Sequence, residues 1–374
     1  MITGFATPEG TDRFRQRFSK QMNAGHFRHA TGVPGVEGLW LSSIGIGTYL
    51  GEPNDATDRA YTAAISTAGR SGVNVLDTAI NYRHQRSERN IGAALEQLIS
   101  AGELQRDEVL VCTKAGFLSF DADQPPDPRE YIMREYVAKG VLDPQQVVGM
   151  HCMAPDYLTD QIERSRRNLG LETLDVFYVH NPETQVGSVP GEIFQQRLQA
   201  AFALLEEAVQ AGKIRWYGTA TWSGYRVPPG QKGYMPLETI LGLAQQAGGK
   251  DHHFRFVQLP FNLGMPEAYG LKNQSLNGGT ASLLEVARQN GIAVMASGTL
   301  SQGQLAEGLP EFISKKLGMK SDAQNAIQFT RSAPGIVTAL IGMSSAEHVK
   351  ENLAVAEERP AEEEKWRELF RSGG

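Results

Sequence analysis

The chain has 374 residues, 41% of them hydrophobic, and a net charge of −6; this is enough apolar material for a sizeable core in either two domains or one large α/β barrel. Lys and Arg are dispersed, with no basic stripe, polybasic cluster or long apolar run, so neither nucleic acid nor a membrane is an expected partner. Two cysteines, Cys112 and Cys152, form no disulfide framework and are too few for a thiolate zinc site; with no apolar h-region near the N-terminus they point to the cytoplasm.

Residues 1–25 are polar and read either as a tail or as a short helix over Asp12–Met22. Phe27–Ser42 has two short segments around a Gly/Pro-rich turn, a β-hairpin pattern. The strand near Ile44 follows and ends in Gly47-Thr48, where glycine lets a ligand approach the backbone. Asp55–Ser71 has helical periodicity and stops at Gly72. The strand near Val75 breaks off into Asp77-Thr78-Ala79-Ile80-Asn81-Tyr82. A carboxylate at the end of an apolar strand is costly unless paired. The next helix has Ser87 as its expected N-cap and Gly102 as its stop. The strand near Leu110 delivers Lys114. Residues 117–155 then interrupt the alternation with a proline-rich insertion, too long for an idle loop and suited to a lid or substrate wall.

Alternation resumes with a helix over Tyr157–Leu169 and a strand near Phe177 that ends at His180. Further strands lie near Trp216, Val257, Val294 and Ala339, each followed by a helix, and an extra charged helix spans about 360–372. Eight strand–helix units imply a parallel sheet, most economically a (β/α)8 TIM barrel of one domain over residues 26–374, with the hairpin capping its bottom. A doubly wound open sheet is the alternative, but no GxGxxG follows the first strand.

In a barrel, chemistry sits at the C-terminal strand ends. Asp77, Lys114 and His180 fall there, and Tyr82 lies five residues beyond one. Singly, a surface lysine, a packed histidine and a packed tyrosine explain them as well. No metal-ligand spacing is present. His252-His253 and His26 with His29 have too few partners for a metal, and Cys112 reads as inert core. Arg83–Arg86 reads either as a basic rim for an acidic or polyhydroxy substrate or as charges paired with Glu88 or solvent. His151-Cys152-Met153 reads either as pocket lining or as packing.

Asp77-Thr78-Ala79 with Tyr82, Ser87-Glu88, Ile91-Gly92, VCTKAG around Lys114, LGLETLDVFYVH ending at His180, Gly212-Lys213-Ile214-Arg215 with Gly218, Gln258 with Asn262, and Gly342 with Glu351-Asn352 together resemble the aldo-keto reductase superfamily over roughly residues 41–353. The resemblance implies reduction of an aldehyde or ketone by hydride transfer from a nicotinamide, NADP by family habit with NAD as the alternative. Tyr82 would be the general acid. Lys114 would lower the phenol pKa, Asp77 would pair with Lys114, and His180 would orient the carbonyl. The substrate would be a small carbonyl or sugar-like molecule.

The same resemblance places the cofactor against Gly47, Thr48 and Asp77 on the first two strands, and against Ala220, Thr221 and Gln258 on the fifth and sixth. Ser297, Gly298 and Leu300 follow the seventh strand; Gly342, Ser344, Ser345, His348, Glu351 and Asn352 follow the eighth, at a helix N-terminus that favours phosphate. Three positions depart from the family pattern. Ala220-Thr221 replaces a Ser-Asn or Ser-Arg pair, Ser297 replaces an aromatic, and Gly342 and His348 stand where a Lys and an Arg often grip a phosphate, leaving Lys315 or Lys316 to supply charge. These departures keep two alternatives open: a sugar or aldose dehydrogenase working mainly in oxidation, and a nicotinamide-binding regulatory protein with little turnover.

Overall fold

A computed structural model describes residues 1–371, so Ser372 at the end of the expected terminal helix lies outside it. Eight parallel strands, β1 (Ile44–Gly47), β2 (Val75–Asp77), β3 (Leu110–Ala115), β4 (Leu174–His180), β5 (Ile214–Ala220), β6 (Phe254–Pro260), β7 (Ala293–Ser297) and β8 (Ile336–Gly342), pair in sequence order and close into a barrel through β8 and β1. Each is followed by a helix: α1 (Asp55–Arg70), α2 (Arg86–Ser100), α3 (Pro155–Leu169), α4 (Gly191–Gln210), α5 (Leu237–Gly248), α6 (Leu283–Gln289), α7 (Asp322–Ser332) and α8 (Ala346–Glu357). This is the (β/α)8 architecture expected from the alternation. Among the described residues no helix is long and apolar enough to cross a membrane.

Side chains alternate across each strand with period two. Val75, Cys112, Tyr178, Trp216, Phe256 and Met295 pack together inside the barrel, whereas Leu76, Val111, Phe177, Tyr217, Val257 and Val294 pack under the helices. Two residues further along the same inward faces come Asp77, Lys114, His180, Gln258 and Ser297, and Ala220 comes four residues past Trp216. The alternation that fills the core therefore also lines the mouth. The hairpin reduces to two pairs, Phe27 with Ser42 and Arg28 with Leu41. Its connection carries Val33, Val36 and Leu39 into the interior cluster and plugs the bottom.

Several local expectations change. Residues 1–25 are not a loose tail. Thr7 caps a helix over Pro8–Phe18, its side chain accepting from the N–H of Gly10, with Pro8 in the first turn, so the helix starts four residues before Asp12. Phe14 and Phe18 join the core, and the N–H of Ala6 donates to Asp175 Oδ1 at 2.7 Å. Ser87 is not the cap of α2: that position falls to Gln85 in a left-handed conformation, and the Ser87 hydroxyl donates to the Thr48 carbonyl at 2.7 Å. Gly102 adopts φ +70 just past the helix, as its stop requires. The loop after β6 contains an unforeseen antiparallel pair, Gln274–Leu276 with Gly279–Ala281. Asn277 and Gly278, at φ +50 and +80, form its turn.

The insertion after β3 is folded, with short helical turns at Pro128–Ile132, Met133–Val137 and Pro144–Gln146. Tyr136 is buried in it and donates to the Ser119 carbonyl at 2.6 Å, while Tyr157 of α3 donates to the Phe117 carbonyl at 2.7 Å. A last helix, Glu363–Arg371, buries Trp366 against Phe261 and Phe329 with ring centroids at 6.4 and 5.2 Å. The Trp366 indole N–H donates to the Phe329 carbonyl.

Two stability predictions follow from this packing. Trp366→Ala removes a fully buried indole and its hydrogen bond, and chemical denaturation is expected to show a loss of about 3–5 kcal/mol. His26 is buried, its Nε2 donating to the Gly72 carbonyl at 2.9 Å and its Nδ1 facing the Ser43 hydroxyl at 3.1 Å; burial pushes its pKa down from 6.5 to about 3. Below pH 6.5 the unfolded chain therefore takes up a proton that the folded chain refuses, and stability falls as pH falls. Denaturation at pH 7 and pH 5 is expected to show a steeper loss for the wild type than for His26→Gln, by about 2 kcal/mol.

Candidate active site

Lys114 and Asp77 meet at the ends of β3 and β2. The Lys114 ammonium donates to Asp77 Oδ2 and to the Thr78 carbonyl, both at 2.7 Å, and the Gln258 amide donates to Asp77 Oδ1 at 2.8 Å. Both carboxylate oxygens are thus satisfied, in the arrangement an ionised carboxylate needs. Burial opposes the Lys114 charge, but Asp77 and Tyr82 outweigh it and hold the ammonium pKa above its usual value. Burial pushes the Asp77 carboxyl the other way, toward protonation, against Lys114 and Gln258. The two donors on its oxygens favour the ion pair.

Tyr82 stands over this pair, with the Lys114 nitrogen 5.0 Å from its ring centroid. Its ring lies edge-on to His180 at 5.8 Å and to Tyr49 at 5.0 Å. Burial raises the phenol pKa, Lys114 draws it back, and Asp77 and Tyr49 add to the rise. The net direction is upward, opposite to the effect of Lys114 alone, so the phenol carries its proton at neutral pH. Burial, reinforced by Lys114 and His151, drives the His180 pKa well below its usual value. The imidazole is neutral, and its Nδ1 is buried without a partner.

His151 lies behind His180. Its Nε2 donates to the His180 carbonyl at 2.8 Å, and its Nδ1 accepts from the Gln185 amide at 3.1 Å. Burial lowers its pKa from 6.5 to about 4. This histidine is a brace between insertion and β4, and packing is the role it fills. Gly116 makes room for it: a Cβ there would lie 2.3 Å from the His180 carbonyl oxygen and 2.7 Å from His151 Nε2. Phe117 contacts both imidazoles, at 5.4 Å from His151 and 5.5 Å from His180.

Of the expected cofactor residues, those at the strand ends line this mouth, while His348, Glu351 and Asn352 lie further along α8. Gly47 and Gly342 are register partners at the ends of β1 and β8. The Thr48 hydroxyl donates to the Asp77 carbonyl at 3.2 Å. Ala220 ends β5, and the next residue, Thr221, has a buried hydroxyl without a partner. Gln258 spends its amide on Asp77. Ser297 ends β7, the Gly298 carbonyl accepts from Asn262 at 2.7 Å, and Leu300 is half-buried. Ser345 caps α8, its side chain accepting from the N–H of His348. Ser344 is half-buried beside it, His348 and Glu351 are exposed, and Asn352 is buried. Lys315 and Lys316 are engaged with Glu311 and Glu368 at 2.9 and 3.0 Å.

The basic-rim expectation for Arg83–Arg86 fails. Arg83 is buried, pairs with Asp58 at 3.0 Å and stacks over Tyr61 at 4.8 Å. Arg86 pairs with Asp58 at 2.5 Å and with Asp55 at 3.1 Å. The partners are on α1 rather than Glu88, which instead accepts from Thr113 and Asn168. Arg83, His84 and Gln85 all have positive φ, +45, +56 and +72. A left-handed conformation costs an L-residue roughly 1–2 kcal/mol.

Glu183, three residues past His180, was not singled out in the sequence. Its Oε1 accepts from the N–H groups of Trp222 and Ser223 at 2.6 and 3.0 Å, and its Oε2 is buried without a partner. A carboxylate right after a strand-end histidine was the available signal. Unpartnered buried polar atoms at the mouth, Thr78 Oγ1, Asn81 Oδ1, His180 Nδ1 and Thr221 Oγ1, suit a polar organic ligand. Among the described residues no group of three His, Cys, Asp or Glu side chains could hold a metal.

The family model of the aldo/keto reductase family matches residues 43–228. A putative voltage-gated potassium channel subunit beta of Schizosaccharomyces pombe is 24% identical, over 86% of this chain and 87% of that protein. The L-galactose dehydrogenase of Arabidopsis thaliana is 23% identical, with 87% of each covered. A crystal structure of an aldo/keto reductase from Klebsiella pneumoniae in complex with NADP and acetate superposes with a TM-score of 0.61 at 22% identity, covering 90% of this chain and 92% of that one. The matched segment begins at the first barrel strand and runs past β5, and so contains the paired Lys114 and Asp77 with Tyr82 and His180. On this agreement of model, fold and site, the chain belongs to the aldo/keto reductase family.

Proposed function

We propose that this protein is an NAD(P)H-dependent oxidoreductase that reduces the carbonyl of a small aldehyde or ketone and, in reverse, oxidises the corresponding alcohol or sugar. The observation that carries the reading is the buried Lys114–Asp77 pair beside a protonated Tyr82, with a neutral His180 edge-on to the same ring. A bound nicotinamide would supply the hydride. Tyr82 gives its proton to the developing alkoxide. Lys114 stabilises the phenolate left behind, and Asp77, fixed by Gln258, keeps Lys114 oriented. The neutral imidazole of His180 offers one N–H to the carbonyl oxygen and orients it.

Thr221 and Asn81, with unpartnered buried oxygens, and Ser344 at the N-terminus of α8 are the groups that would hold the cofactor. NADP is the preferred reading, because NADP is the ligand of the Klebsiella structure; NAD is the alternative. The likeness to a channel beta subunit favours a second reading, a nicotinamide-binding regulatory protein with little turnover. Fluorescence titration with NADPH and NADH, followed by turnover of a nitrobenzaldehyde, separates the two. Tight binding without turnover of any carbonyl tested selects the regulatory reading, and absence of binding removes both.

Tyr82→Phe is expected to bind cofactor as the wild type does and to lower turnover by at least about a hundredfold. Unchanged turnover would take the general-acid role away from Tyr82.

A further inference from the structure

Three consecutive residues after Tyr82 adopt the left-handed conformation that glycine holds freely, yet none is glycine. Each uses the position to reach a different element. Arg83 donates to the Ser87 hydroxyl at 3.2 Å and to Asn90, and pairs with Asp58 of α1 at 3.0 Å. The His84 carbonyl accepts from the N–H of Ala122 in the insertion at 2.8 Å, and its ring lies 5.6 Å from Phe120. Gln85, almost fully buried, donates to the Phe120 carbonyl at 2.9 Å and accepts from Asn168 of α3 at 3.0 Å. Arg86 then donates to the Ala122 carbonyl at 2.6 Å and reaches Asp123 at 3.5 Å. The turn is held from α1, from α3 and from residues 120–123.

We propose that the turn Arg83–Gln85 is a positioning device for Tyr82, clasped by residues 120–123 of the insertion; the proposal rests on the carbonyl-reductase reading of Tyr82. Backbone immediately C-terminal to Tyr82 sets where its hydroxyl points. Contacts to three separate elements fix that backbone more firmly than glycines would. The same insertion places Phe117 against His180, so one segment supports both groups that face the substrate carbonyl. Its packed state and the alignment of proton donor and orienting imidazole are coupled.

Gln85→Gly and Arg83→Gly test this cleanly, because glycine adopts the turn without strain and only the clasping side chain is lost. Two measurements are made on each full-length variant: hydrogen exchange of the amides in residues 117–123, and steady-state turnover of an aldehyde with a cofactor titration alongside. For Gln85→Gly the expected result is faster exchange at Ala122, unchanged cofactor affinity, and kcat lower by about tenfold to a hundredfold. For Arg83→Gly the same split between kcat and cofactor binding is expected. A loss of general stability would weaken cofactor binding as well, so the split marks positioning. Wild-type exchange at Ala122 in Gln85→Gly, or wild-type kcat in both variants, overturns the proposal. Failure of the underlying reading shows differently, as a wild-type protein that turns over no aldehyde.

Discussion

A lysine with no exposed surface at the end of a barrel strand requires a counter-charge, and Asp77 is that counter-charge. Taking both ions out of water costs several kcal/mol, and their attraction returns that only where the geometry is close and the remaining hydrogen-bonding capacity is met. Here the pair sits at 2.7 Å, Lys114 has the Thr78 carbonyl as a second acceptor, and Gln258 satisfies the other carboxylate oxygen. The arrangement ties β2, β3 and β6 together across the barrel. Its value is orientation rather than stability: it holds a permanent positive charge under one tyrosine ring. Removing either partner would strand the other and cost about 3–5 kcal/mol, so site and fold share the same atoms.

Much of this was legible in the chain. Apolar strands alternating with amphipathic helices fixed the number and order of the barrel strands, because a parallel sheet with both faces covered needs that pattern. Period-two alternation within each strand then put Asp77, Lys114, His180 and Gln258 on the inward face. What local patterns could not supply was long-range pairing. The fate of Arg83 and Arg86 was decided by Asp55 and Asp58, more than twenty residues upstream on α1. The cap of α2 went to Gln85 because tertiary contacts impose a left-handed turn that no propensity for glutamine would suggest. Thr7-Pro8 did carry a helix-start signal, which polar composition obscured. Asn277-Gly278 likewise carried a hairpin signal, hidden inside what looked like a loop. Glu183 escaped notice because its donors, the backbone N–H groups of Trp222 and Ser223, lie on the next strand-end loop.

The insertion is better described as structure than as a loop. Its Tyr136 packs against Tyr157 of α3 with ring centroids at 5.7 Å, its Phe117 meets His151 edge-on, and it carries a histidine brace. Arg197 of α4 donates to Gln185 at 2.9 Å, and Gln185 donates to His151, so a helix on the outside of the barrel is linked through three side chains to the backbone of the histidine at the site. Burial keeps His151 neutral, and that link holds it in one tautomer. It also makes the orientation of His180 depend on residues that touch no ligand.

The plug formed by Val33, Val36 and Leu39 has a kinetic consequence. With the floor of the barrel sealed by apolar packing, everything that reaches Lys114 enters and leaves through one door. On the carbonyl-reductase reading, a cofactor and a substrate that meet above the same lysine cannot pass each other in that space. Whichever is seated deeper has to arrive first and depart last. A sealed floor thus imposes an order of traffic on any two ligands that share the mouth.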